Sequence, residues 1–468
     1  MPASKKRSTV TKKTSKNLPN PPSLWQTIGP SFILLGLALG SGELILWPYL
    51  SASWGLGLMW GGLLGITLQF ILNTETMRYS LARGESVFVG FRKLSGIWPL
   101  WFIISTFIPW SLPGFSSASS QIINNLLGLE FERGISIALL LLTGFILTIG
   151  KTLYRTMEVL QRTIIIIGLP IMFGLTLWLA NSQDWTDLAW GVIGRGEGWW
   201  FFPPGIAIAS FLGAFAYSGA GGNLNLAQSY YIKEKGFGMG KYLDKISSLF
   251  AGGNKVVKIE GTLFSDTTSN YSLWKKWWRL VNTEHFLVFW ILGFLSITMI
   301  SVLAKTLTFG QAEGEGIIFL YQQAAAIAER TFPLMGTTFL MLAGLMLFST
   351  QIGVLESSSR IISENILLLF YKPGRKFNLS LAFYASLWGQ ILLGIVILFS
   401  GFQEPRFLLT LGAVLNGAAM MVAFPLLFVL NKHQLPERYR PGIFRQVLIM
   451  AGLCFFALFF VFLLRDML

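Results

Sequence analysis

The residues of this chain whose types and spacing could do chemistry gather in two glycine-rich stretches. The first is Gly40-Ser41-Gly42-Glu43, in the middle of the apolar run from Gly29 to Pro48. Glycine loses more backbone entropy on folding than any other residue, so two glycines around a serine predict an interrupted helix. A carboxylate at membrane depth is costly and normally faces a cavity or a partner. The plainer alternative is a kink with Glu43 paired structurally to a neighbour. The second stretch is IAIASFLGAFAYSGAGGNLNLAQSYYI, cut midway by Gly219, Gly221 and Gly222. The two interruptions fall five apolar spans apart. Corresponding breaks in two halves of a chain point to an inverted-repeat carrier with its solute site at the bilayer midplane.

Other chemistry finds little support. The sequence has no GxSxG, no phosphate-binding Walker loop and no HExxH, which argues against an enzyme. The single cysteine, Cys454, excludes an internal disulfide and a cysteine-cluster metal site. With only two histidines, His285 and His433, a multi-histidine metal site is also excluded, and no cofactor is expected. Of the 468 residues 53% are hydrophobic and 12% charged, with a mean hydropathy of +0.59. Soluble domains carry about 25% charged residues. The net charge of +14 resides in the loops between apolar spans, so the expected partner is a lipid bilayer and not a nucleic acid.

The elements that must position these stretches are apolar helices, and the expected class is an all-α integral membrane protein. Apolar spans occur near 25–54, 56–82, 97–127, 134–150, 154–180, 204–232, 284–307, 334–370, 380–401, 406–430 and 445–465. Each approaches or exceeds the ~20 residues needed to cross the hydrocarbon, which makes eleven. Residues 1–24 read as a disordered basic tail, 25–180 as a first five-helix repeat and 181–203 as an aromatic interfacial loop. Residues 204–430 read as a second five-helix repeat with a polar insert at 233–283, and 431–468 as a loop and an eleventh helix. Leu273 to Val281 (LWKKWWRLV) reads as a basic amphipathic segment on the membrane surface. Lys and Arg concentrate in the tail and in alternate loops, which predicts a cytoplasmic N-terminus and an outside C-terminus.

In that frame the sequence resembles the Nramp divalent-metal transporters of the amino acid–polyamine–organocation superfamily. Nramps open the first span with GPGF and break it with DPGN. This chain has GPSF at 29–32 and GSGE at 40–43. Nramps break the sixth span with MPHNL followed by LHS; here the matching run is Ala220-Gly221-Gly222-Asn223-Leu224, then Leu226-Ala227-Gln228. Thr350-Gln351-Ile352-Gly353 stands where the eighth span carries GQSS, and Tyr154…Glu158 and Asn125-Leu126-Leu127-Gly128 are also similar. The resemblance implies a LeuT-like fold of two inverted five-helix repeats with broken first and sixth helices, in a bacterial inner membrane. It implies a substrate site built from Gly40, Ser41, Gly42, Glu43, Ala220, Gly221, Gly222, Asn223 and Gln351. Tyr217, Gln228, Glu356 and Asn416 form a second tier, Asn416 lying near the family's functional glutamine.

The departures shape the expected function. The family's aspartate ligand falls on Gly40, its asparagine on Glu43 and its methionine on Ala220, and its sixth-span histidines fall on Gly222 and Ala227. Losing the thioether removes a preference for softer metals. A lone carboxylate with carbonyls and waters suits a hard, oxygen-seeking ion, with magnesium and manganese as candidates and Glu43 as the metal-facing residue. The third span holds no acid, so Nramp-type proton coupling is not expected. A small organic molecule or anion on the same fold is the alternative. Glu75 with Arg78, and Glu356 with Arg360, have the spacing of local helix pairs. Gln69 and Asn73 read as helix–helix glue.

The charge asymmetry makes a direct prediction. In a Cys454→Ala background, a cysteine at Ser182 labels from outside intact cells and one at Ser272 labels only after permeabilisation. The reverse pattern refutes the orientation.

Overall fold

Eight helices of the computed structural model are long and apolar enough to cross a bilayer, nine if the bent first span is counted as one. The structure describes residues 16–149, 153–243, 259–311, 317–370 and 378–467. The tail before residue 16, the insert core 244–258 and the side chain of Ser41 lie outside the described residues. No strand forms among the described residues. The first span runs through Pro30–Ala38, a π-helical stretch Leu39–Leu46 and Trp47–Trp54, and bends by 40° there. The sixth is divided into Ile208–Ala216 and Gln228–Lys235, joined by a loop and the 3-10 turn Gly222–Ala227. The third expected span is also divided, into Trp98–Trp110 and Gly114–Leu127. Pro109 and Pro113 explain it, because proline lacks an N–H and pushes the preceding residue out of the helical region.

Two expectations need correction. Leu273 to Val281 does not lie apart on the membrane surface. It is the start of a helix running from Thr268 to Thr308, 41 residues long, of which the seventh span is the continuation. Trp274 and Trp277 decide this: three residues apart, both turn inward and are buried, against Phe264 and Tyr439 in one case and Phe237 in the other. The exposed lysines Lys275 and Lys276 take the opposite face. Likewise residues 16–23 are not a free tail. Leu18 is buried and donates its N–H to Asn270 Oδ1 at 3.1 Å, and Trp277 Nε1 donates to the Pro19 carbonyl at 2.7 Å.

The core is one contiguous set of apolar side chains from every span. Several buried charges are compensated in place. Arg78 Nε donates to Glu75 Oε2 at 2.6 Å, and Arg445 joins the same carboxylate at 3.1 Å. Lys93 Nζ lies 2.6 Å from Glu85, which also accepts from the Tyr79 hydroxyl at 2.5 Å. Arg360 bridges Glu356 and Glu234, the latter at 2.6 Å. The local pairing read for Glu75 and Glu356 is therefore present.

The segment 181–203 contains the helix Ser182–Val192, capped by Asn181, and exposes Trp190 and Trp200. It is clasped to the far end of the seventh-span helix: Lys305 Nζ meets Asp184 Oδ1 at 2.8 Å and Asp187 Oδ2 at 2.7 Å, and Thr306 donates to Asp184 at 2.8 Å. Burial opposes the charge of Asp184. The hydrogen bonds from Lys305, the Asn181 N–H and Thr306 outweigh it and hold the carboxyl below the usual aspartate range. A depressed folded-state value stabilises the fold above the unfolded value, near 4, and that stability is lost as pH falls through the folded value. Asp184→Asn is therefore expected to cost about 1.5–3 kcal/mol at pH 7, read as a lower melting temperature in detergent. The gap from the parent protein should close below about pH 4. A gap that does not change with pH refutes the ionic clasp.

Candidate functional site

The first-span break is built around one hydroxyl. In a regular helix the Gly40 N–H would donate to the Gly36 carbonyl. Here Thr350 of the eighth-span helix Pro333–Leu369 stands between them: Gly40 N donates to Thr350 Oγ1 at 3.1 Å, and that hydroxyl donates to Gly36 O at 2.9 Å. A side chain inserted into the helical ladder bends it. Glycine is required at 40, since a Cβ there would lie 2.5 Å from Thr350 Oγ1. At Gly36 a Cβ would overlap Gln161, which is itself fixed by the Ser349 carbonyl at 3.0 Å.

The sixth-span break is repaired by Gln69 of the second-span helix Met59–Arg83. Its Nε2 donates to the Ala216 carbonyl at 3.1 Å, and its Oε1 accepts from Gly221 N at 3.2 Å and Asn225 Nδ2 at 3.0 Å. Gly221 and Gly222 have φ of +77° and +49°, a left-handed backbone that glycine adopts without strain. Asn223 Nδ2 donates to Ser105 and Thr106 of the third span, both at 2.9 Å. Asn416 Nδ2 donates to the Tyr217 hydroxyl at 3.2 Å and to Gly412 O at 2.9 Å, and a Cβ on Gly222 would overlap Asn416 Oδ1. Spending both amide nitrogens elsewhere fixes both amides. Asn223 Oδ1 and Asn416 Oδ1 are left buried and without a hydrogen-bond partner. Beside them the Tyr217 ring stacks on Trp110, centroids 5.6 Å apart, and Trp110 Nε1 is also unpartnered.

The two breaks touch, because a Cβ on Gly42 would overlap the Tyr217 carbonyl. Ala220 is buried in the unwound loop. Glu43 is fully buried but turns away from the sixth span. It accepts a hydrogen bond from Ser296 of the seventh-span helix Leu292–Thr308, and its Oε1, facing Gly293, has no hydrogen-bond partner.

Thus Gly40, Gly42, Ala220, Gly221, Gly222, Asn223, Tyr217 and Asn416 come together, and besides Glu43 three of the named residues stand apart from them. Gln351 Oε1 accepts from Ser116 N at 3.2 Å and so caps the second half of the third span. Gln228 donates to Met77 Sδ at 3.4 Å. Glu356 is occupied by Arg360. Sequence reasoning missed Trp110, Ser105, Thr106 and Ser296. Nothing in their spacing marks them, although the two prolines beside Trp110 carried a legible signal. Among the described residues no three of His, Cys, Asp and Glu gather into a metal-holding group.

No family model matches the chain, and no curated protein does. Solved structures do. The manganese transporter of Eremococcus coleocola superposes with a TM-score of 0.69 at 12% identity, over 96% of this chain and 89% of that one. A histidine mutant of it gives 0.66 at 13%, over 95% and 87%. Mhp1, a nucleobase-cation-symport-1 transporter solved with bromovinylhydantoin bound, gives 0.57 at 13% identity, over 96% and 94%. The chain has the LeuT-type transporter fold.

Contact between the breaks can be tested sterically. Gly42→Ala must push the first span off the Tyr217 carbonyl, an overpacking cost of about 1–3 kcal/mol. The control is Gly174→Ala, where nothing lies within 4 Å of a new Cβ. Gly42→Ala should melt several degrees lower in detergent and Gly174→Ala should not. Equal melting temperatures refute the contact.

Proposed function

We propose that the chain is an alternating-access carrier of a hard cation, with magnesium and manganese the leading candidates. It would work in a bacterial inner membrane with its N-terminus in the cytoplasm, rocking the repeats 25–180 and 204–430 about the touching breaks. The observation that carries the cation reading is Glu43. Glu75, Glu85 and Glu356 each hold an arginine or lysine. Glu43 is as deeply buried, and no Lys or Arg pairs with it among the described residues. An unpaired buried carboxylate is costly, and a cation at the neighbouring break supplies the missing countercharge. Oxygen ligands are at hand in the bare Asn223 and Asn416 amides, which suit a hard ion that keeps part of its water shell. Glu43, facing the seventh span, then contributes charge to the site more than a direct bond to it.

A second reading has its own support. The Trp110–Tyr217 stack and the two bare amide oxygens would also receive a flat organic solute that donates N–H groups.

Isothermal titration on wild type and Glu43→Gln separates the two. Losing a charge-assisted interaction costs about 1.5–3 kcal/mol, or roughly ten- to hundredfold in affinity. Magnesium or manganese should bind the wild type and weaken by that factor in the mutant. No metal binding to the wild type, with a hydantoin binding both proteins equally, would establish the organic reading instead.

A further inference from the structure

At the N-terminal end of the first span an acid, a hydroxyl and an imidazole stand in line. Ser31 Oγ donates to Glu284 Oε2 at 2.5 Å and lies 2.7 Å from His285 Nδ1. Glu284 Oε1 also accepts from Gly29 N at 3.4 Å, so the carboxylate sits at the amino end of the helix Pro30–Ala38, where a negative charge is favoured. All three residues are buried. The imidazole is clamped between Phe70, at 5.4 Å and 13°, and Phe289, at 4.6 Å and 10°, and its Nε2 has no hydrogen-bond partner.

Hydrogen counting fixes the states of this chain. The serine hydroxyl has one proton. While it donates to Glu284, His285 must be the donor at Nδ1 and Nε2 is a bare acceptor. A proton arriving at Nε2 can therefore be passed on: Nδ1 gives its proton to Ser31, and Ser31 gives its own to Glu284. One proton has entered and one carboxyl is now neutral. The O–H of Glu284 points at Ser31, Ser31 points at Nδ1, and the imidazole has changed from the Nδ1–H to the Nε2–H tautomer.

We propose that Glu284, Ser31 and His285 form a proton-binding relay whose occupancy sets how firmly the amino end of the first span is held against the seventh. When Glu284 is charged, the Gly29 N–H and the helix end bind it. When it is protonated, that hold weakens. The neighbouring charges can respond to this. Lys235 at the end of the sixth span bonds Glu158 of the fifth span at 2.5 Å and the Ile28 carbonyl at 3.3 Å, directly beside Gly29. The buried Tyr154 hydroxyl of the fifth span has no hydrogen-bond partner. On the other side Arg445 is held by Asn282 at 2.9 Å and by Glu75, and the second span stacks Phe70 on the imidazole. The relay rests on the carrier reading and adds to it a coupling route different from the Nramp one, which the acid-free third span does not lead us to expect, and its own test needs no transported solute.

The test uses the protein's shortage of histidines. Ring ¹⁵N-labelled histidine in the full chain gives two sets of signals, and loss of one in His433→Gln assigns them. Between about pH 8 and pH 5, the range in which an ordinary histidine changes charge, His285 should change from the Nδ1–H to the Nε2–H tautomer while staying neutral. Ser31→Ala should abolish the change, and Glu284→Gln should leave one tautomer throughout. A wild-type ring with one tautomer at every pH overturns the relay. So does a ring that becomes an imidazolium, or a switch that survives in Ser31→Ala. The wild-type titration decides the matter even if a variant fails to fold.

Discussion

The Thr350 hydroxyl between Gly36 and Gly40 states the constraint under which the whole molecule is built. Inside a bilayer no water is available to satisfy a backbone group that a helix lets go. Each interruption is therefore matched by a polar side chain from an unbroken neighbour: Thr350 at the first span, Gln69 at the sixth and Gln351 at the third. The side chains that fill the gaps sit on the second and eighth spans, which are continuous helices. The irregular elements are thus specified in pairs with regular ones, and the site between them is held by hydrogen bonds as well as by packing.

Charge is distributed by the same logic. Glu75 of the second span is neutralised by two arginines, and Glu356 of the eighth by one that it shares with Glu234. Among the described residues three buried acids, Glu43, Glu284 and Glu364, have no lysine or arginine bonded to them. Each is held by a serine hydroxyl, Ser296, Ser31 and Ser86 in turn. Groups left in that condition are the ones an external ion or proton can influence.

The positions of the breaks were legible because glycine has a local physical signature. Gly40, Gly42, Gly221 and Gly222 tolerate close approach or a left-handed backbone that other residues resist. The local ion pairs were legible from helical spacing. The facing of Glu43 was not. A π-helical stretch carries an extra residue per turn, so everything after it rotates relative to an ordinary helix, and nothing in GSGE indicates that the stretch widens instead of simply parting. The long helix from Thr268 differs from a surface segment because the i, i+3 spacing of Trp274 and Trp277 records a buried face, while its lysines mark only the exposed one. The partners Ser105, Thr106 and Ser296 were invisible because a lone hydroxyl in an apolar helix is ordinary.

That long helix has a mechanical consequence. At 1.5 Å per residue its 41 residues reach about 60 Å, roughly twice the thickness of the hydrocarbon. It is continuous through a π-helical stretch at Phe286–Ile291, with the docked residues 16–23 and an exposed basic face near one end, and the aspartate clasp of the segment 181–203 at the other. A continuous helix that pivots within a membrane displaces its two ends in opposite directions. A few degrees of tilt at the seam with the first span would therefore appear at both surfaces at once.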